Sequence, residues 1–303
     1  MKALATFVTR GRIQAMVLTA IFAVLSLILP PFSYVSGGII ALITLRKGAT
    51  EGLLITGVAV LIMGALSMMM FGQMALALAY LLVVWLPILG LSLVLRRTVS
   101  LPLTLSVAGL LGILVVLGIY AALDDPVAWW RDILTKFFSD ALSQTELPEG
   151  ISSVAEIVDV MAQMMTGIIA SAFVVSLIFS LFLGRWWQAM LYNPGGFKQE
   201  FFSLRLDRTT AALTVLFIVL AMVGSGSMPI ATDLMLVVVT IAGIPGLALM
   251  HDWVANGGGN VIFLVILYVL LLFAMPQMTA ALAISAVIDS WVDLRKYFKK
   301  SSV

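Results

Sequence analysis

Residues 231–250 read ATDLMLVVVTIAGIPGLALM, a run of twenty in which Asp233 alone is ionisable. Wound as a helix at 1.5 Å per residue, such a run covers about 30 Å, the hydrocarbon thickness of a bilayer. Its apolar residues do not alternate with polar ones, so it does not read as a strand of a membrane barrel. Outward from this stretch the chain carries further apolar runs at 13–29, 33–45, 49–71, 74–95, 101–123, 160–184, 209–228, 260–275 and 277–294. The reading is an all-α, polytopic transmembrane bundle of about eight to ten helices, some short or broken. All of 1–303 then forms a single integral membrane domain. The run at 33–45 is short, and with 13–29 it brackets Pro30-Pro31. It reads either as a span or as one arm of a re-entrant hairpin.

Composition agrees with this. Of the 303 residues 62% are hydrophobic and 11% charged, with a mean hydropathy of +1.15. A soluble protein carries about a quarter charged residues and needs them to cover its surface. There is no cysteine, which excludes disulfide scaffolds and thiolate chemistry. The single histidine, His251, excludes a His-rich metal centre. No metal, cofactor or nucleic-acid partner is expected. A hydrolase would need a nucleophile beside a base, and scattered serines with one helix-end histidine do not supply it. The expectation is a protein that is not an enzyme.

The basic residues give a direction. Lys2, Arg10 and Arg12, then Arg46-Lys47, Arg96-Arg97, the group Arg185, Lys198, Arg205 and Arg208, and finally Arg295, Lys296, Lys299 and Lys300 fall on one side if the runs cross in turn. That is 15 of 17 basic residues, and by the positive-inside rule this side is the cytoplasm. Both termini are then cytoplasmic, in what reads as a bacterial inner membrane. Only Arg131 and Lys136 lie outside, in the segment 124–159, beside eight carboxylates.

Segment 124–159 is expected to be an external amphipathic insertion. Asp124-Asp125-Pro126 is a helix-start signal. Val127, Trp130, Ile133, Leu134, Phe137, Phe138, Ala141 and Leu142 then recur at helical spacing. Two placements are open: a helix lying in the headgroup region, where tryptophan settles, or a lid over an outward-facing cavity. Segment 185–208, with Trp186-Trp187 and the turn signal Asn193-Pro194-Gly195-Gly196, is expected to be a cytoplasmic loop.

Few residues are candidates for chemistry. An ionisable side chain at membrane depth is expensive, so each one is a candidate site. Asp233 stands near the outer start of its run, close to Ser225, Ser227 and Met228. Twelve of the 17 methionines fall near expected outer ends, Met68, Met164 and Met228 among them. Thioether chains fill gaps in packing, line adaptable apolar pockets, or bind soft copper. The pocket reading combines Asp233, Ser225, Ser227, Met68, Met164 and Met228 into a site for a small hydrophobic or amphipathic molecule. Asp289 and Asp293 lie one turn apart on the last helix, with Arg295 in reach, and read as a charge cluster holding that helix. Gly243-Ile244-Pro245-Gly246 and Pro87 mark helix breaks.

Gly246-Leu-Ala-Leu-Met-His251, then a Gly-rich break, an apolar helix, Asp289-Ser-Trp291-Val-Asp293-Leu-Arg295 and a basic tail resemble the YybS-like bacterial membrane family of unknown function. Pro30-Pro31-Phe32, Gly37-Gly38 and Arg46 fit the same pattern. That family is distantly similar to the substrate-binding (S) components of energy-coupling-factor transporters. The resemblance implies a compact helical unit that takes a small molecule from outside and docks on a membrane coupling subunit. S components dock through an Ala-xxx-Ala face on their first helix, and here the matching place reads Ala15-xxx-Thr19-xxx-Ala23. The alternative is a membrane scaffold or assembly factor that does not transport, acting as a homodimer.

Overall fold

The computed structural model describes residues 1–142, 154–224 and 228–298. Among these residues every regular element is a helix. In chain order they are α1 (Lys2–Arg10), α2 (Arg12–Leu25), α3 (Phe32–Lys47), α4 (Ala49–Phe71), α5 (Ala75–Thr98), α6 (Leu101–Ala122), α7 (Pro126–Leu142) and α8 (Val154–Ala162), followed by α9 (Met165–Tyr192), α10 (Gly196–Phe202), α11 (Arg208–Gly224), α12 (Pro229–Asn256), α13 (Ile262–Phe273), α14 (Met275–Val292) and α15 (Arg295–Phe298). Five of them, α4, α5, α6, α9 and α12, are long and apolar enough to cross a bilayer, as a multi-pass membrane protein requires. The helices form two compact units, residues 1–108 with 175–204, and residues 109–174 with 205–303.

The first unit centres on α3. Its residues from Ser36 to Leu45 are all buried, although the helix has only 16 residues. Ala5, Val8, Ala15, Ile55 and Trp187 pack around Ile39, Leu42 and Ile43. Several polar groups inside this unit are paired, as burial away from water demands, although Thr44 Oγ1 and Trp187 Nε1 are buried without a hydrogen-bond partner. The Trp85 indole N–H donates to Ser36 Oγ at 3.0 Å, and Ser36 Oγ donates to the Thr19 carbonyl at 2.9 Å. Arg96 donates to the carbonyls of Thr44 and Leu45, closing the C-terminal turn of α3. Pro87 does not end its helix. A wide π-type turn at Leu81–Trp85 precedes it in α5 and absorbs the amide that proline lacks.

Two expectations are corrected here. Residues 185–192 are not loop but the last two turns of α9, and α10 follows after Asn193-Pro194-Gly195. The helix outlasts its apolar stretch because the first charge, Arg185, is paired with Glu200 and hydrogen-bonded to Gln188 at 2.9 Å. The small-residue face expected to meet a coupling subunit is also occupied. Ala15, Thr19 and Ala23 are each fully buried within the unit, and Ala15 belongs to its core. The exposed side of α2 carries Ile13, Val17 and Ile21 instead.

In the second unit α12 runs through Gly243-Ile244-Pro245-Gly246 without interruption, with Pro245 inside the helix. The break expected there is absent, because the glycines serve a helix crossing. A Cβ on Gly246 would stand 2.0 Å from the Leu282 carbonyl oxygen of α14. Leu206, Ala211, Ala242, Ala283 and Ala286 make the small-residue core at this crossing. Close approach of backbones through small residues is how membrane helices gain packing without a hydrophobic driving force. The apolar run at 160–184 divides in the structure, its first residues forming the end of α8 and the rest lying in α9.

Candidate functional site

Asp233 is the fifth residue of α12 and is 1% exposed. A carboxylate there needs donors, and two neighbouring helices supply them. The Tyr120 hydroxyl, near the end of α6, donates to Oδ2 at 2.8 Å. The backbone N–H of Gly167, third residue of α9, donates to Oδ1 at 2.7 Å. The first amides of a helix have no partner within it, and the partial positive charge at that end favours an anion. Asp233 therefore caps α9 from another helix. The approach requires glycine: a Cβ at 167 would lie 2.7 Å from Asp233 Cα and 2.9 Å from its carbonyl oxygen. Both donors are neutral, so the carboxylate has no counter-ion among its described hydrogen-bond partners.

The residue before Gly167 ties in the amphipathic helix. Thr166 Oγ1 accepts a 2.9 Å hydrogen bond from the Trp130 indole N–H of α7. Val127, Trp130, Leu134 and Phe138 of α7 pack on Val158, Met161 and Ala162 of α8 and on Met165. Arg131 pairs with Asp159 at 2.6 Å. Asp125 caps the start of α7 by accepting from the Ala128 N–H at 2.9 Å. A chain of contacts thus runs from α7 through Thr166 and Gly167 to Asp233 and Tyr120, all within the second unit.

The other residues of the expected pocket stand as follows. Met228 is the N-cap of α12, half exposed, and packs beside Gly224. Met164 lies in the turn between α8 and α9, partly buried. Met68 belongs to the first unit, on the last turn of α4, and is 55% exposed. Ser225 and Ser227 lie outside the described residues. Tyr120, Gly167 and Thr166 did not emerge from the sequence, and Trp130 emerged only as a ring of the amphipathic helix, not as a partner of Thr166. A signal existed for Tyr120, the one hydroxyl in the outer half of an otherwise apolar run. Gly167 carried none, because its use depends on where α12 crosses.

A second cluster joins Asp289, Asp293 and Arg295. Asp289 on α14 is 3% exposed, and its Oδ2 stands 3.4 Å from Arg295 Nε and 3.8 Å from Arg205 Nε. Arg295 reaches Asp252, at the end of α12, at 4.0 Å. Arg205 also donates to Asp293, which Lys296 approaches at 3.2 Å. The Arg205 hydrogen bond holds the Asp293 carboxyl below its ordinary range, against the opposing effect of partial burial. Burial pulls the Arg295 guanidinium below its usual value, while Asp289 and Asp252 oppose that shift. Asp289 Oδ1 is buried and makes no hydrogen bond. Among the described residues no group of three His, Cys, Asp or Glu is placed to hold a metal ion.

The chain matches no family model, no curated protein and no solved structure.

Proposed function

We propose that this is a bacterial inner-membrane protein, both termini cytoplasmic, that binds a small hydrophobic or amphipathic molecule from the outer side and carries no enzymatic activity. The reading keeps the S-component-like idea of ligand capture and the YybS-like resemblance behind it, but not docking through Ala15, Thr19 and Ala23, which are used internally. The observation that supports it is Asp233. A carboxylate buried in a membrane helix is costly to keep, and it is held here by a hydroxyl and an amide rather than by a cation. A ligand bearing an ammonium or hydroxyl donor replaces Tyr120 at Oδ2, while its apolar part meets walls such as Met164 and Met165. The helix α7 covers this end through Trp130.

The test is the molecule carried by the protein itself. Wild type, Asp233→Asn and Tyr120→Phe are purified in nanodiscs and extracted for small-molecule mass spectrometry. The expected result is an amphipathic compound retained by wild type and depleted at least tenfold in Asp233→Asn, with that variant still folded. Identical extracts from both folded proteins overturn the binding reading. One observation favours a scaffold instead: both Asp233 oxygens are already satisfied by the chain. A scaffold gives identical extracts, a lower unfolding temperature for the variants, and a cross-linked homodimer or partner.

A further inference from the structure

The packed face of α7 has a counterpart. Trp129, Ile133 and Phe137 are 44%, 38% and 70% exposed, at spacings i, i+4 and i+8. They form one stripe, because residues four apart on a helix are neighbours. The sequence doubles its aromatics at 129–130 and 137–138, and in each pair one ring turns inward and the other outward. Trp130 and Phe138 meet α8, whereas Trp129 and Phe137 do not. The rings of each pair are edge-to-face, with centroids 4.6 and 5.5 Å apart. At 3.6 residues per turn the stripe adjoins the face packed on α8, so it is the outer edge of one broad apolar arc whose other edge is already used.

Its location names what covers it. Three residues, 123–125, separate the end of the spanning helix α6 from the start of α7. Three residues reach at most about 11 Å, so α7 begins at the edge of the hydrocarbon layer. The exposed side of α6 leads there through Leu110, Leu114 and Leu117, the surface that a spanning helix gives to lipid. Three side chains are also far short of the roughly 800 Å² per partner that a stable protein interface buries. Tryptophan and phenylalanine on one side of a helix, with charge on the others, is the composition of helices that lie in the headgroup boundary.

We propose that α7 is an interfacial helix, seated with Trp129, Ile133 and Phe137 in the headgroup–acyl boundary of the bilayer while Trp130, Leu134 and Phe138 hold it to α8 and α9. The two placements open from sequence are then the two edges of this one arc. The bilayer supplies one wall that keeps Trp130 on Thr166. This holds whether or not Asp233 meets a ligand.

The absence of cysteine makes the test direct. Single cysteines are placed in the full chain as Trp129→Cys, Ile133→Cys and Phe137→Cys, with Asp132→Cys and Thr135→Cys on the remaining face. Each is labelled with a nitroxide and reconstituted in phosphatidylethanolamine–phosphatidylglycerol vesicles. Labels at 129, 133 and 137 are expected to relax at least threefold more with oxygen than with a water-soluble nickel chelate, and labels at 132 and 135 the reverse. Equal access to nickel at all five positions places the stripe in water and overturns the proposal. Shielding of the stripe from both reagents places it against another protein chain and overturns it equally. All five positions are exposed, so the thermal transition should match wild type. Should one variant unfold, brominated-lipid quenching of wild type is compared with that of Trp129→Phe, since six other tryptophans remain; a smaller quenched fraction in the variant is expected, and equal quenched fractions are the contrary result.

Discussion

The two ends of α12 solve the same problem in opposite ways. Asp233 and Asp252 are 19 residues apart, about 28 Å along the helix, close to one hydrocarbon thickness. At the first end a buried carboxylate is held by a tyrosine hydroxyl and a helix N-terminal amide. At the second, Asp252 shares Arg295 with the buried Asp289, and Arg205 and Asp293 extend the network. Neutral donors can be exchanged one at a time, because removing one leaves no stranded opposite charge. A buried ion pair cannot be opened so cheaply, since the remaining partner is left charged in a poor solvent. The arginine-rich end is therefore built to stay shut, and the tyrosine end is the one that can change partners.

The largest expected effect tests the rigid end. Asp289→Ala leaves Arg295, itself 6% exposed, without its nearest carboxylate. Breaking a buried pair in this way costs about 3–5 kcal/mol. Thermal or denaturant unfolding in detergent should show that loss. The double variant Asp289→Ala with Arg295→Met should recover part of it, since no charge is then stranded. A double variant as unstable as the sum of the two singles would mean that the pair is not coupled.

The exchangeable end should respond less. Tyr120→Phe removes one of two donors and leaves Oδ2 of Asp233 with an unmet hydrogen bond, worth about 1–3 kcal/mol. Gly167→Ala pushes a Cβ against the Asp233 backbone and should cost a similar amount, about 1–3 kcal/mol, as overpacking does. Both variants should still fold, with unfolding transitions between those of wild type and Asp289→Ala. A Tyr120→Phe loss larger than the Asp289→Ala loss would reverse the contrast between the two ends.

Much of this was legible before any coordinates. The all-α membrane class follows from apolar runs that only helices can satisfy inside lipid. The grouping of Asp289, Asp293 and Arg295 follows from helical spacing and opposite charge. The sides of α7 were half legible: periodicity put Trp130, Ile133, Leu134, Phe137 and Phe138 in one apolar set, without telling which of them meet α8 and which stay exposed. Other features depended on contacts between distant segments. Gly243 and Gly246 read as a break because glycine and proline are local punctuation, yet their roles are set by Thr279 and Leu282, far along the chain. Ala15, Thr19 and Ala23 read as a docking face because small residues mark close approach without naming the partner, and the partner is the protein's own core. The donors to Asp233 come from residues 113 and 66 positions away, a distance at which no local pattern operates.

The smallest expected effect is at Asp293, on the rim of the ionic network. Its side chain is 24% exposed, and it closes α14 with a positive φ of 54°, a conformation that Asp and Asn tolerate better than most residues. Asp293→Asn therefore keeps the helix end and removes only the charge. Because Arg205 depresses the folded carboxyl, its stabilisation is complete above the unfolded value of about 4. It is lost as pH falls through the lower, folded value. Unfolding temperatures at pH 7, 5, 4 and 3 should show wild type and Asp293→Asn separated by a small, constant gap down to pH 5. The gap should narrow below pH 4, as protonation makes wild type resemble the variant. High salt should shrink it at every pH above 4, since this pair is partly in water. A gap indifferent to both pH and salt would show that Arg205 spends its charge on Asp289 alone. The network would then end at the buried pair rather than reach the surface.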